Sequence, residues 1–140
     1  MHGSIVFDSW ALLAWIRGEP AAQRVDQILH QAETGKTQLS MSWINAGEVY
    51  YMLVRKHGPQ VAGEFLTRLP SLPIRLVLPV EASVISAAKL KSTRRMSYAD
   101  AFAAALAIQE KAVLVTGDPE FGNLGDLLAV EWIGNSEVSG

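Results

Sequence analysis

Ile5-Val6-Phe7-Asp8 is a β-branched and aromatic run that stops on an acid. It reads as a short buried strand with Asp8 at its carboxyl end. The same pattern returns at Ala112-Val113-Leu114-Val115-Thr116, where Asp118 follows by two residues. Two apolar strands far apart in sequence, each delivering a carboxylate just past its end, set the frame for everything between them.

Outward from Asp8, Ala11-Leu12-Leu13-Ala14-Trp15-Ile16 favours a short helix closed by Gly18. Pro20 opens a second helix, in which Ala21, Val25, Ile28, Leu29 and Ala32 recur at helical intervals until Thr34-Gly35. Gln38 to Met41 forms a second strand, and Ser42 caps a helix running to about His57, with Gly58-Pro59 as its stop. A helix over about Gln60 to Leu69 precedes a third strand, Ile74 to Leu78, and Glu81 to Lys91 is helical again. An alanine-rich helix spans Tyr98 to Lys111, and Ala129 to Trp132 is a fifth strand. Strands alternating with helices across long crossovers imply an α/β sandwich, with helices covering both faces of a mostly parallel sheet of about five strands.

The chain has 140 residues, which suits one domain. Residues 1–4 read as a disordered or cloning-derived start, and 134–140 as a tail. At 49% hydrophobic and 19% charged residues, a real core is available and a disordered chain is excluded. Without cysteine there are no disulfides or thiolate zinc sites, so a cytoplasmic compartment is expected. No apolar stretch approaches a membrane span, so no membrane partner is expected. Net charge is −2, from 14 acids against 12 bases. A nucleic-acid partner would therefore be met through a local basic patch, through bound cations, or through both.

In a parallel sheet, ligands bind outside the carboxyl ends of the strands, where Asp8 and Asp118 both fall. Asp100 stands in the first turn of the alanine-rich helix, with Ala103, Ala104 and Ala107 on its face. Glu48 sits within the helix that begins near Ser42, beside an apolar stripe that makes an unpartnered carboxylate costly. Each acid also has a structural reading. Asp8 can cap the following helix, Ser97-x-x-Asp100 matches a capping box, and Asp118-Pro119 is a common turn. Their agreement on one rim favours a shared site.

Four segments occur in order: Ile5-Val6-Phe7-Asp8-Ser9, Asn45-Ala46-Gly47-Glu48-Val49, Ser97-Tyr98-Ala99-Asp100-Ala101-Phe102 and Val115-Thr116-Gly117-Asp118-Pro119-Glu120-Phe121. Together they resemble the PIN-domain nucleases, and most closely the VapC-type toxins of bacterial and archaeal toxin–antitoxin modules. The resemblance runs from about Ile5 to Ile133. It implies a PIN-like three-layer α/β/α domain and an endoribonuclease that requires Mg²⁺ or Mn²⁺. The implied metal ligands are Asp8, Glu48, Asp100 and Asp118, with Ser9, Asn45 and Thr116 ordering the site. It further implies an RNA substrate, a cognate antitoxin and a homodimer formed through the helices between Ser42 and Leu69. Trp10 departs from the small or polar residue often found at its position, and Glu120 reads either as a fifth carboxylate or, the favoured reading, as an outer or surface residue.

Elementary electrostatics supports a cation. Two carboxylates 4 Å apart repel by about 4 kcal/mol at an effective dielectric near 20, and a hard divalent ion among oxygen ligands relieves this. Lys89, Lys91, Arg94 and Arg95 form the one dense basic cluster. They read either as a guide for the RNA backbone or as a solvated helix end. A phosphorelay receiver needs adjacent acids after the first strand, and a haloacid-dehalogenase-type phosphatase needs Asp-x-Asp there. Ser9-Trp10 breaks both patterns. The alternative left standing is a non-catalytic PIN-like module that binds RNA or a protein.

Overall fold

The computed structural model describes residues 3–134. Met1, His2 and residues 135–140, which include most of the expected tail, lie outside the described residues. Gly3 and Ser4, set aside in the sequence reading, are the first residues of strand β1 (Gly3–Phe7) and pair with Thr37 and Gln38. Helices α1 (Ser9–Ile16) and α2 (Ala22–Glu33) lead to β2 (Thr37–Ser42). Helices α3 (Trp43–His57) and α4 (Pro59–Arg68) lead to β3 (Arg75–Val77). Helices α5 (Glu81–Thr93) and α6 (Tyr98–Glu110) lead to β4 (Val113–Thr116). A 3-10 turn at Pro119–Leu124 and strand β5 (Val130–Trp132) complete the described fold. The junction of α3 and α4 turns on Gly58, whose φ of +89° is a conformation that side chains with a Cβ rarely adopt.

The sheet order is β3-β2-β1-β4-β5, and every pairing is parallel. The expected mostly parallel sheet is thus wholly parallel. Alternation along the strands divides the core into two layers. Phe7, Leu39, Met41 and Val115 face a cluster with α1 to α4, while Val6 and Leu114 face a second cluster built on α5 and α6. In α6, residues Ala101 to Ala107 are all buried, five of them alanines. So narrow a helix surface packs directly over β1, β2 and β4.

The chain leaves β1 for β2 and β3 on one side, then returns by α5 and α6 to β4 on the other side of β1. The strand order therefore reverses at the β1–β4 boundary. In open α/β sheets the crevice at that boundary is where ligands bind.

Candidate metal centre

Asp8 follows β1 directly and is fully buried. One carboxylate oxygen accepts the Ala11 N–H at 3.0 Å, capping α1. The other accepts the Thr116 hydroxyl at 2.6 Å. The same Thr116 oxygen accepts the Asp118 N–H at 3.0 Å, so one threonine at the end of β4 fixes both strand-end acids. Desolvation lifts the Asp8 carboxyl from 3.8 to about 7; the hydrogen bonds from Thr116 and Ala11 oppose that rise, and the Asp118 charge adds to it.

Ser97 caps α6 by accepting the Asp100 N–H at 3.1 Å. Only this half of the expected capping box forms. The Ser97 N–H turns to Glu120 Oε1, at 3.4 Å, which leaves the Asp100 carboxylate to face the other acids. Burial is the main reason that carboxyl rises from 3.8 to about 9, followed by its hydrogen bond with Glu120 and the charges of Asp118 and Asp8. Asp118 combines two roles. It caps the 3-10 turn by accepting the Glu120 N–H at 3.0 Å, and it contributes an oxygen to a group formed with Asp100 and Glu120. The three ligand oxygens lie within 4.8 Å of one another.

Glu48 projects from α3 into the same cleft, where its Oε1 accepts a short hydrogen bond from the Ser9 hydroxyl. Asn45, one turn earlier and fully buried, donates to the Ala99 carbonyl at 3.1 Å and so ties α3 to the start of α6. The cleft holds about 350 Å³. Ser9, Glu48, Asp100, Asp118 and Glu120 line it together with Trp10 and Arg17, and the fully buried Asp8 is close enough to interact with the charges of Asp100 and Asp118. A set made only of carboxylate and hydroxyl oxygens, in which burial first and neighbouring carboxylates second raise Asp8 and Asp100, fits a hard divalent cation.

A family model of the PIN domain matches residues 5–127. The chain belongs to the PIN-domain family. No curated protein matches it by sequence. Among solved structures, this PIN domain is similar to a chain of VapBC2 from Rickettsia felis bound to a promoter DNA fragment, with 16% identity, 91% of this chain and 97% of that chain covered, and a TM-score of 0.72. It is also similar to VapC20 from Mycobacterium tuberculosis, a sarcin–ricin-loop-cleaving toxin, with 17% identity, 86% and 95% covered, and a TM-score of 0.71. VapBC-1 from nontypeable Haemophilus influenzae gives 21% identity, 92% and 97% covered, and a TM-score of 0.67.

Within the PIN domain the expected acids come together, and the cleft residue that sequence reasoning missed is Arg17. Glu120, for which a fifth-carboxylate reading stood beside the favoured outer role, is exposed and brings an oxygen within 4.8 Å of those of Asp100 and Asp118. The signal was its position two residues into a proline-initiated turn that folds back on Asp118. The basic cluster goes elsewhere. Lys91 donates to the Met96 carbonyl, Lys89 and Arg94 line a separate groove with Leu90 and Ile108, and none of Lys89, Lys91, Arg94 or Arg95 lines the acidic cleft. Trp10 packs its six-membered ring against Gly117 and Gly134 at the cleft wall.

Proposed function

We propose that this PIN domain is a metal-dependent endoribonuclease toxin that hydrolyses RNA phosphodiester bonds and is held inactive by a cognate antitoxin. The observation that carries this reading is the meeting of Asp8, Glu48, Asp100 and Asp118, joined by Glu120, around one cleft at the β1–β4 boundary. Asp8, Glu48, Asp100 and Asp118 would hold Mg²⁺ or Mn²⁺. When bound, the ion supplies charge neutralisation at the RNA phosphate and a more acidic water for attack at phosphorus. The protein's part is positioning. Thr116 fixes Asp8, Ser9 fixes Glu48, and Ser97 sets the helix start from which Asp100 projects. Asn45 ties α3 to the start of α6, the two helices that bring Glu48 and Asp100 to the cleft. Hydrolysis leaves a 5′-phosphate and a 3′-hydroxyl.

Two features support partners. The cleft is open and negative, which suits an antitoxin segment bearing a basic side chain. Trp43, Tyr51 and Leu66 are exposed on α3 and α4, which suits a homodimer through that face. No helix among the described residues is long and apolar enough to cross a membrane. The absence of cysteine suits the cytoplasm.

The test is cleavage of a structured RNA by the purified chain, freed of antitoxin, in Mn²⁺. Wild type cuts. Excess EDTA or Asp100→Asn abolishes cutting, with the circular dichroism spectrum unchanged. Equal cutting in EDTA and by Asp100→Asn would remove the basis for this function.

A further inference from the structure

Among the described residues, the acidic cleft contains one cation. Among its lining residues Arg17 alone is positively charged, against Glu19, Glu48, Asp100, Asp118 and Glu120. Its guanidinium is weakly engaged. Nη1 lies 3.9 Å from the exposed Glu19 carboxylate, while Nη2 is shielded from solvent and has no hydrogen-bond partner among the described residues. A shielded donor left unpaired is costly, and a loose surface ion pair contributes little to offset it. A guanidinium presents a planar fork of donors that matches phosphate oxygens in pairs. An unpaired N–H of this kind, in a cleft built for an RNA phosphate, is a binding group awaiting its acceptor.

Position defines which phosphate. Asp8 caps the start of α1 and Arg17 caps its end, so the helix separates them by about 13 Å at 1.5 Å per residue. Leu13, Ala14 and Met52 line the cleft as well and offer an apolar floor. We propose that Arg17 is a positioning residue that grips a backbone phosphate flanking the scissile one, setting the RNA's path across the acidic cleft. The proposal rests on the ribonuclease reading above. Arg17 acts on the strand and not on the reacting atoms.

Steady-state cleavage of a ten-nucleotide RNA and of a dinucleotide in Mn²⁺, by wild type, Arg17→Gln and Arg17→Lys, tests this. On the longer RNA, Arg17→Gln raises KM at least about tenfold, as losing a charge-assisted contact should, with a smaller change in kcat. The defect shrinks towards wild type on the dinucleotide, which lacks a flanking phosphate. The slope of log KM against log salt falls by about 0.7 for the longer RNA. Arg17→Lys keeps that slope and recovers part of the KM, and it carries the test if Arg17→Gln does not fold. An unchanged KM on the longer RNA, or an equal loss on both substrates, overturns the proposal while leaving the nuclease intact. So does antitoxin affinity lost with RNA kinetics unchanged, which would assign Arg17 to the partner surface. Failure of wild type to cleave any RNA overturns both readings together.

Discussion

Thr116 donates its hydroxyl to the buried Asp8 carboxylate at 2.6 Å, joining the ends of two strands that are 108 residues apart in the chain. That hydroxyl also receives the Asp118 N–H, so both strand-end acids depend on one side chain. Thr116→Val removes the donor and leaves Asp8 with one partner fewer in a dry site. The expected cost is about 1–3 kcal/mol in urea unfolding, together with weaker Mn²⁺ binding by calorimetry. Thr116→Ser recovers most of both. Wild-type stability in Thr116→Val would show that the bond is dispensable.

The metal-free protein should lose stability as pH rises. Asp8 and Asp100 both have folded-state values above the ordinary 3.8, at about 7 and about 9, so the folded chain holds more protons than the unfolded chain across those windows. Their contribution is fully present below about pH 4 and is lost between there and pH 7 for Asp8, and up to pH 9 for Asp100. Divalent ions replace those protons. Mn²⁺ should therefore raise the Tm strongly at pH 8 and little at pH 5. At a hundredfold excess over Kd the stabilisation is about 2.7 kcal/mol. Thermal melts across pH, with and without Mn²⁺, check this, and a Tm rise independent of pH would contradict it.

Glu120→Gln separates a cluster member from a surface residue. Its hydrogen bond and charge both help to raise the Asp100 carboxyl; glutamine removes the charge and offers an amide N–H that favours the Asp100 carboxylate, so the pH at which stability falls should drop. Mn²⁺ affinity should drop several-fold. A surface role would leave both unchanged.

Much of this was readable because the decisive signals are local. Strand ends at Phe7 and Thr116, the serine cap at Ser97 and the glycine stop at Gly58 each depend on a few adjacent residues, and the elements formed close to where those signals put them. Register at the N-terminus was less accessible, since Gly3 and Ser4 have little strand character and are strand only because β2 pairs with them. The role of Glu120 stays open in the sequence because a 3-10 turn decides where its side chain goes, and no periodicity encodes that. The placement of the basic cluster was not legible for a different reason. Apolar residues lie all round α5, at Val84, Ile85, Ala88 and Leu90, so the sequence does not fix which way Lys89 faces. Arg17 passed unnoticed because a lone arginine after a short helix reads as surface until the cleft is assembled around it.

Gly117 is required by close packing. A Cβ there would lie 2.3 Å from the Trp10 ring and 2.7 Å from the Ile133 carbonyl. The carbonyl is backbone and cannot swing aside. Gly117→Ala should cost about 1–3 kcal/mol and displace the segment that carries Asp118, weakening Mn²⁺ binding as well. Gly117→Ala should cost less in a Trp10→Ala background than in the wild type, with a residual cost from the Ile133 carbonyl. Chemical denaturation of the single and double variants measures both effects.

The most direct measurement is an anomalous difference map from crystals of the antitoxin-free chain grown in Mn²⁺. A peak coordinated by oxygens of Asp100 and Asp118, within reach of Asp8 and Glu48, is the predicted result. Well-ordered crystals with full Mn²⁺ exposure and no peak in that cleft, or a peak held elsewhere, would contradict it.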